Sequence, residues 1–177
     1  MSGTRVFKTA PYDVFVKIST YGLGPVLVGL AIGWAAIKKQ DWDLPLILGG
    51  TLLIINILVY IFSAVRKYIV NAERLVIKKP IGSFSIPYSQ IATVEVVNSV
   101  NVGFKACANA GLFGYFGLFF VVDDNDTVRI YATNLKRMAQ IKTTDGKKIY
   151  LSPAEPEKFV EAVKRHLSQD CQGGEKS

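Results

Sequence analysis

ISTYGLGPVLVGLAIGWAAI (18–37) and LPLILGGTLLIINILVYIFSAV (44–65) stand almost back to back, and neither holds an Asp, Glu, Lys or Arg. At about 1.5 Å of rise per residue, each is long enough for a hydrocarbon core of about 30 Å. The connector Lys38–Asp43 is polar except for Trp42, and it is too short for a domain. The pattern predicts a transmembrane helical hairpin whose two outer ends return to one side. A cleaved leader would have a shorter apolar core with no second span behind it. Two buried water-soluble helices would show a polar stripe, which neither segment has.

Basic residues set the expected orientation. Arg5, Lys8 and Lys17 precede the first span, and Arg66, Lys67, Arg74, Lys78 and Lys79 follow the second. The connector has Lys38 and Lys39 with Asp41 and Asp43 beside them. The positive-inside rule then makes the chain integral to the cytoplasmic membrane, with both termini and the domain after the hairpin cytoplasmic. Gly29 and Gly33 form a G-x-x-x-G step on which a second helix, most simply the other span, could pack closely. Asn56, near the expected midplane, suits a helix-to-helix hydrogen bond.

The formal net charge is +7, and it concentrates beside the spans. An anionic leaflet rewards that placement, which makes Arg66, Lys67, Arg74, Lys78 and Lys79 candidate contacts for anionic lipid headgroups. No basic stripe interleaved with aromatic residues appears on a separate face, so nucleic acid is not an expected partner. Cys107 and Cys171 have no C-x-x-C companion, and in the cytoplasm both read as free thiols.

Residues 66–168 read as one small strand-rich domain, after an N-terminal segment 1–17 and before a disordered tail, 169–177. Phe84, Ile86 and Tyr88 alternate with Ser83, Ser85 and Pro87 at period two. Further strands are expected around 68–70, 75–77, 93–97, 116–122, 128–132, 140–143 and 148–151. Asp123, Asp124 and Asp126 fall in one hairpin turn, and Asp145-Gly146 in another built from two positive-φ residues. Ser152, Pro153 and Glu155 look like the capping box of a final helix carrying Phe159, Val160, Val163 and Leu167 on one face. These elements predict an α+β protein in which a helical hairpin precedes an antiparallel barrel closed by a C-terminal helix.

Four phrases carry a family resemblance: YIVNAERLVIKK (68–79), IPYSQI (86–91), GLFGYFG (111–117) and DGKKIYLSPAEPEKF (145–159). In this order they resemble the bacterial pleckstrin-homology (PH) domain family over roughly 68–167. The resemblance implies a PH-like barrel with a closing helix. Members are often fused to one or two transmembrane helices. It implies no activity and brings no catalytic residues.

Nothing in the residues themselves supplies chemistry. His166, the single histidine, lacks acidic or cysteine companions and reads as structural, beside the end of the final helix. Asp123, Asp124 and Asp126 lack the glycine and distal glutamate of a calcium loop. Gly111, Gly114 and Gly117 are not followed by the Lys-Ser or Lys-Thr of a phosphate loop. We therefore expect no enzyme, cofactor or metal. The expected role is a membrane-anchored binding or scaffold module that presents its barrel to a protein partner or to lipid headgroups. The alternative is a structural or regulatory subunit of a larger membrane complex, packed through its hairpin.

Overall fold

The first sheet begins earlier than the sequence suggests. The computed structural model describes residues 4–38, 43–100, 102–121 and 126–173, with side chains of the third helix described from Ile47 onward. β1 (Arg5–Lys8), β2 (Lys67–Val70), β3 (Arg74–Lys78) and β4 (Ser83–Pro87) form an antiparallel sheet in that order. Register places Phe7 opposite Tyr68, Tyr68 opposite Ile77 and Ile77 opposite Phe84, so one apolar row crosses all four strands on the inner face. The described part of the expected N-terminal segment, residues 4–17, therefore belongs to the strand domain. The Phe7 ring meets Phe159 edge-on at 5.3 Å. The Ala10 amide donates to Ser152 O at 2.7 Å, and the Ala154 amide donates to Lys8 O at 2.9 Å.

The second sheet holds β5 (Ile91–Ser99), β6 (Val102–Ala110), β7 (Tyr115–Val121), β8 (Asp126–Ala132), β9 (Lys136–Thr143) and β10 (Lys148–Leu151) in the order β5-β9-β10-β8-β7-β6. β10 inserts between β9 and β8 and runs parallel to β8, so the sheet is mixed rather than all antiparallel. Its two edges, β5 and β6, are consecutive in sequence. Ser99 and Val102 can be no more than about 11 Å apart, whereas six flat strands would spread over about 24 Å. The sheet must curl. One face packs on the first sheet through Tyr131, Ala139, Ile149 and Leu151, and the other encloses Phe119, Ile130, Met138 and Tyr150. Val16 plugs that second core and is completely buried.

At the β9–β10 turn only Gly146 has positive φ, at 82°, and its amide donates to Thr143 O at 2.9 Å. This is a turn closed by one left-handed glycine instead of the two-residue form expected. Of the other expected turn, Asp123–Asp126, residues 123–125 lie outside the described residues, and Asp126 is already in β8, opposite Val121.

α4 (Pro156–Gly173) closes the first core with Phe159, Val160, Ala162 and Val163. It starts later than the capping-box reading. Pro156 opens the helix, and the Phe159 amide donates to Glu155 O at 3.0 Å. Ser152 is instead buried at the junction of strands, where its Oγ accepts from the Thr133 amide at 2.7 Å. α4 also continues to Gly173, so the tail expected from Gln169 is helical at its start.

Tyr68 ties these pieces together. Its hydroxyl donates to Tyr131 O at 2.7 Å and accepts from the Ser152 amide at 3.1 Å. Burial pushes its pKa from 10.0 up to about 12. The unfolded chain releases this proton first, so the stability from a neutral Tyr68 is complete below pH 10.0 and is lost as pH rises toward about 12. Two pKa units correspond to about 3 kcal/mol. Urea midpoints of the purified full chain should fall steeply over that window, and Tyr68→Phe should flatten the fall while lowering stability at neutral pH. An unchanged alkaline slope in Tyr68→Phe would assign the loss to other groups.

Between β1 and β2 lie the helices α1 (Val14–Lys17), α2 (Gly24–Lys38) and α3 (Asp43–Ser63), with a π-helical segment at Ile18–Leu23 joining the first two. Asp13 caps α1, its Oδ1 accepting from the Val16 amide at 2.9 Å. Among the described residues no helix is long and apolar enough to cross a membrane. The expected first span, 18–37, is divided by the change from π to α winding at Gly24. α2 alone has 15 residues, a rise of only about 22 Å. The middle of the expected connector, 39–42, lies outside the described residues.

Candidate functional site

Strand register decides which basic residues meet. Lys8 lies opposite Lys67, and Lys67 opposite Lys78, so three lysines cross β1, β2 and β3 on the outer, exposed face. This end of the sheet is also where the chain leaves α3, because the Arg66 amide donates to Lys78 O at 2.9 Å. Like charges directly opposite one another destabilise a sheet. The three ammonium groups are therefore retained at a cost, and a counter-charge from outside the chain would relieve it.

Beyond Lys78 the β3–β4 turn runs through Lys79, Pro80, Ile81 and Gly82. Gly82 takes φ of 80°, and Ile81 projects 61 % exposed. Lys79 Nζ sits 4.5 Å from the Phe116 ring centroid, which holds that charge at the same corner.

Of the five predicted basic residues, Arg66, Lys67, Lys78 and Lys79 thus gather at the helix exit. Arg74 does not. It opposes Pro87 at the far end of β3 and pairs with Glu73 at 3.3 Å, about 13 Å along the strand from Lys78. Lys8, which was not among the expected contacts, completes the row. Its signal was the short charged-apolar run Arg5-Val-Phe-Lys8.

A second junction fixes the helices to the barrel. Thr20 Oγ1 donates to Gly111 O at 3.3 Å and accepts from the Phe113 amide at 3.0 Å. Tyr60 of α3 meets Phe113 edge-on at 5.1 Å, and Phe15 stacks on Tyr115 at 6.5 Å. The Tyr115 hydroxyl donates to Asp13 Oδ2 at 2.9 Å. Burial first, and then Asp13, push the Tyr115 pKa far up, so this phenol stays a donor. Phe113 holds φ of 59°, an uncommon value for a bulky side chain, which these contacts stabilise. The GLFG segment is thus a docking turn rather than a loop for phosphate.

The predicted helix-packing residues behave differently from expectation. Among the described residues, a Cβ placed on Gly29 or Gly33 would meet nothing within 4 Å. Asn56 Nδ2 donates to Leu52 O of its own helix at 2.9 Å instead of reaching across. His166 is not beside a helix end. It is buried in α4, with its ring parallel to Tyr88 at 5.2 Å. Among the described residues, no three His, Cys, Asp or Glu side chains gather as a metal site.

The family comparison finds one match, to the profile described as Bacterial PH domain, over residues 66–167. No curated protein and no solved structure matches the chain.

Proposed function

The chain belongs to the bacterial PH domain family, and from that premise we propose that it is a membrane-anchored, non-enzymatic binding module. Its hairpin holds the barrel at the inner leaflet, with the Lys8, Lys67 and Lys78 row against anionic headgroups. One observation carries the anchoring: the helices between β1 and β2 turn large apolar side chains outward. Leu30 is 65 % exposed, Ile47 64 % and Phe62 59 %, with Ile54, Leu53 and Val26 close behind. Contiguous apolar surface beyond a few hundred Å² is rarely left to water. Nothing in the described chain covers it.

Charge placement supports the cytoplasmic side for the barrel. Each well-placed lysine near an anionic surface contributes about 1 kcal/mol.

The second reading, a subunit that packs its hairpin against the helices of a membrane complex, is favoured by the open faces of Gly29 and Gly33. Membranes from cells expressing the full chain, washed in alkaline carbonate, test the anchor. The chain should stay in the pellet and leave it only with detergent. Its release by carbonate alone would overturn anchoring and point to a protein cover for the apolar helices.

A further inference from the structure

Alternation along β8 turns Val128 and Ile130 into the second core and sends Arg129 and Tyr131 toward the first sheet. Tyr131 is closed over by Phe84, stacked at 5.4 Å, and by Phe116 at 5.1 Å. Arg129, two residues earlier, is not closed over. It lines a cavity of about 240 Å³ between β4 and the β9–β10 turn. Its neighbours in register are Leu118 and Ile149, neither of them acidic.

The one carboxylate in the cavity wall, Asp145, is already held by Lys147 Nζ at 2.5 Å and by the Thr143 hydroxyl. Those bonds keep its pKa near 2, well below the usual carboxylate range. Among the described residues Arg129 therefore has no ion-pair or hydrogen-bond partner, although it is half-buried. A charge drawn out of water without a partner is unfavourable, and a planar guanidinium fork matches a carboxylate with two parallel bonds.

The geometry points to a binding site for a small organic carboxylate at this mouth. Its oxyanion would meet Arg129, with Lys147, Ser85 and Gln90 as further donors on the rim, and its apolar part would lie against Phe84 and Ile149. The β9–β10 turn stands at the end of β10 away from Ser152, which joins the first-strand end near the helix exit.

Benzoate and inorganic phosphate, titrated separately into the ¹⁵N-labelled full chain in detergent micelles, test the assignment. Benzoate should shift the Ser85 and Gln90 amides saturably at millimolar concentration. Arg129→Gln should abolish the shifts without altering the rest of the spectrum, and Lys147→Gln should weaken binding several-fold. If Arg129→Gln does not fold, Arg129→Lys, which keeps the charge and loses the fork, should still bind at least several-fold more weakly. No saturable shift, shifts that survive loss of the guanidinium, or binding of phosphate alone would each overturn the proposal.

Discussion

Expressed without the residues that precede them, residues 66–168 are expected not to reach the native fold, even though they contain the whole family match. They lack β1, which pairs along β2 from Arg5 opposite Val70 to Lys8 opposite Lys67. They also lack Phe7 and the fully buried Val16. Burying each such side chain is worth about 1.5–3 kcal/mol. The missing backbone bonds from Ala10 and to Lys8 add about 0.5–1.5 kcal/mol each. Tyr68 and Phe159 lose their cover as well. Against the ~5–15 kcal/mol stability of a small domain, these losses are decisive. Joining residues 4–17 to 66–168 through a flexible Gly-Ser linker should restore a cooperative urea transition and near-ultraviolet circular dichroism. If the isolated segment unfolds at the same urea concentration as the linked form, β1 is peripheral and the account of the barrel is wrong.

Gly114→Ala should be the most damaging single substitution in the docking turn. Gly114 has φ of 126°, and a Cβ there would lie 2.6 Å from the Ala132 carbonyl oxygen, a backbone atom that cannot turn aside. Strain of ~1–3 kcal/mol from the backbone conformation combines with a displaced β7–β8 ladder, so a loss above about 3 kcal/mol is expected. Gly82→Ala is the internal control. Its φ is also positive, at 80°, but a Cβ would meet nothing within 4 Å, so only the conformational cost of about 1–2 kcal/mol applies. Gly111→Ala should fall between them, because its Cβ would press on side-chain atoms, Ser19 Oγ at 2.9 Å and the Phe15 ring at 3.0 Å, which can shift where a backbone carbonyl cannot. Thermal unfolding of the three variants checks the order. Equal losses for Gly114→Ala and Gly82→Ala would mean that the turn is not held against β8 as described.

Much of the barrel was legible because its strands obey period two over apolar residues. Phe84 and Ile86 face inward, as their alternation with serines required. β6 was not legible, because Gly103, Lys105 and Asn109 interrupt the pattern and register shifts on either side of Lys105 reset which face each residue occupies. β1 is four residues long, too short for periodicity to show, and it is separated from β2 by the helices. Nor could hairpin logic anticipate β10 lying parallel to β8, since β10 enters between β9 and β8 rather than joining at a free edge.

Ser152 illustrates a motif read correctly as chemistry and wrongly as location. Ser-Pro-x-Glu suits a helix start, yet the serine hydroxyl serves the buried Thr133 amide, and the helix opens four residues later. At the candidate site, sequence proximity suggested five basic residues together. Strand geometry kept four of them, sent Arg74 to the other end of β3 and brought in Lys8.

The central claim is that the barrel stands at a membrane with its helix-exit end toward the lipid. Spin labels at positions 81 and 146, carried by the full chain in anionic nanodiscs, test it most directly through collision with lipid-soluble oxygen and a water-soluble nickel chelate. Ile81 tips the turn beside Lys78, while Gly146 tips the turn beside Lys147, on the far side of the barrel. The label at 81 should favour oxygen, lose part of that preference in neutral nanodiscs or with Lys67→Glu and Lys78→Glu, and differ clearly from the label at 146, which should favour nickel throughout. Equal accessibility at the two positions, unaffected by lipid charge, would contradict the account.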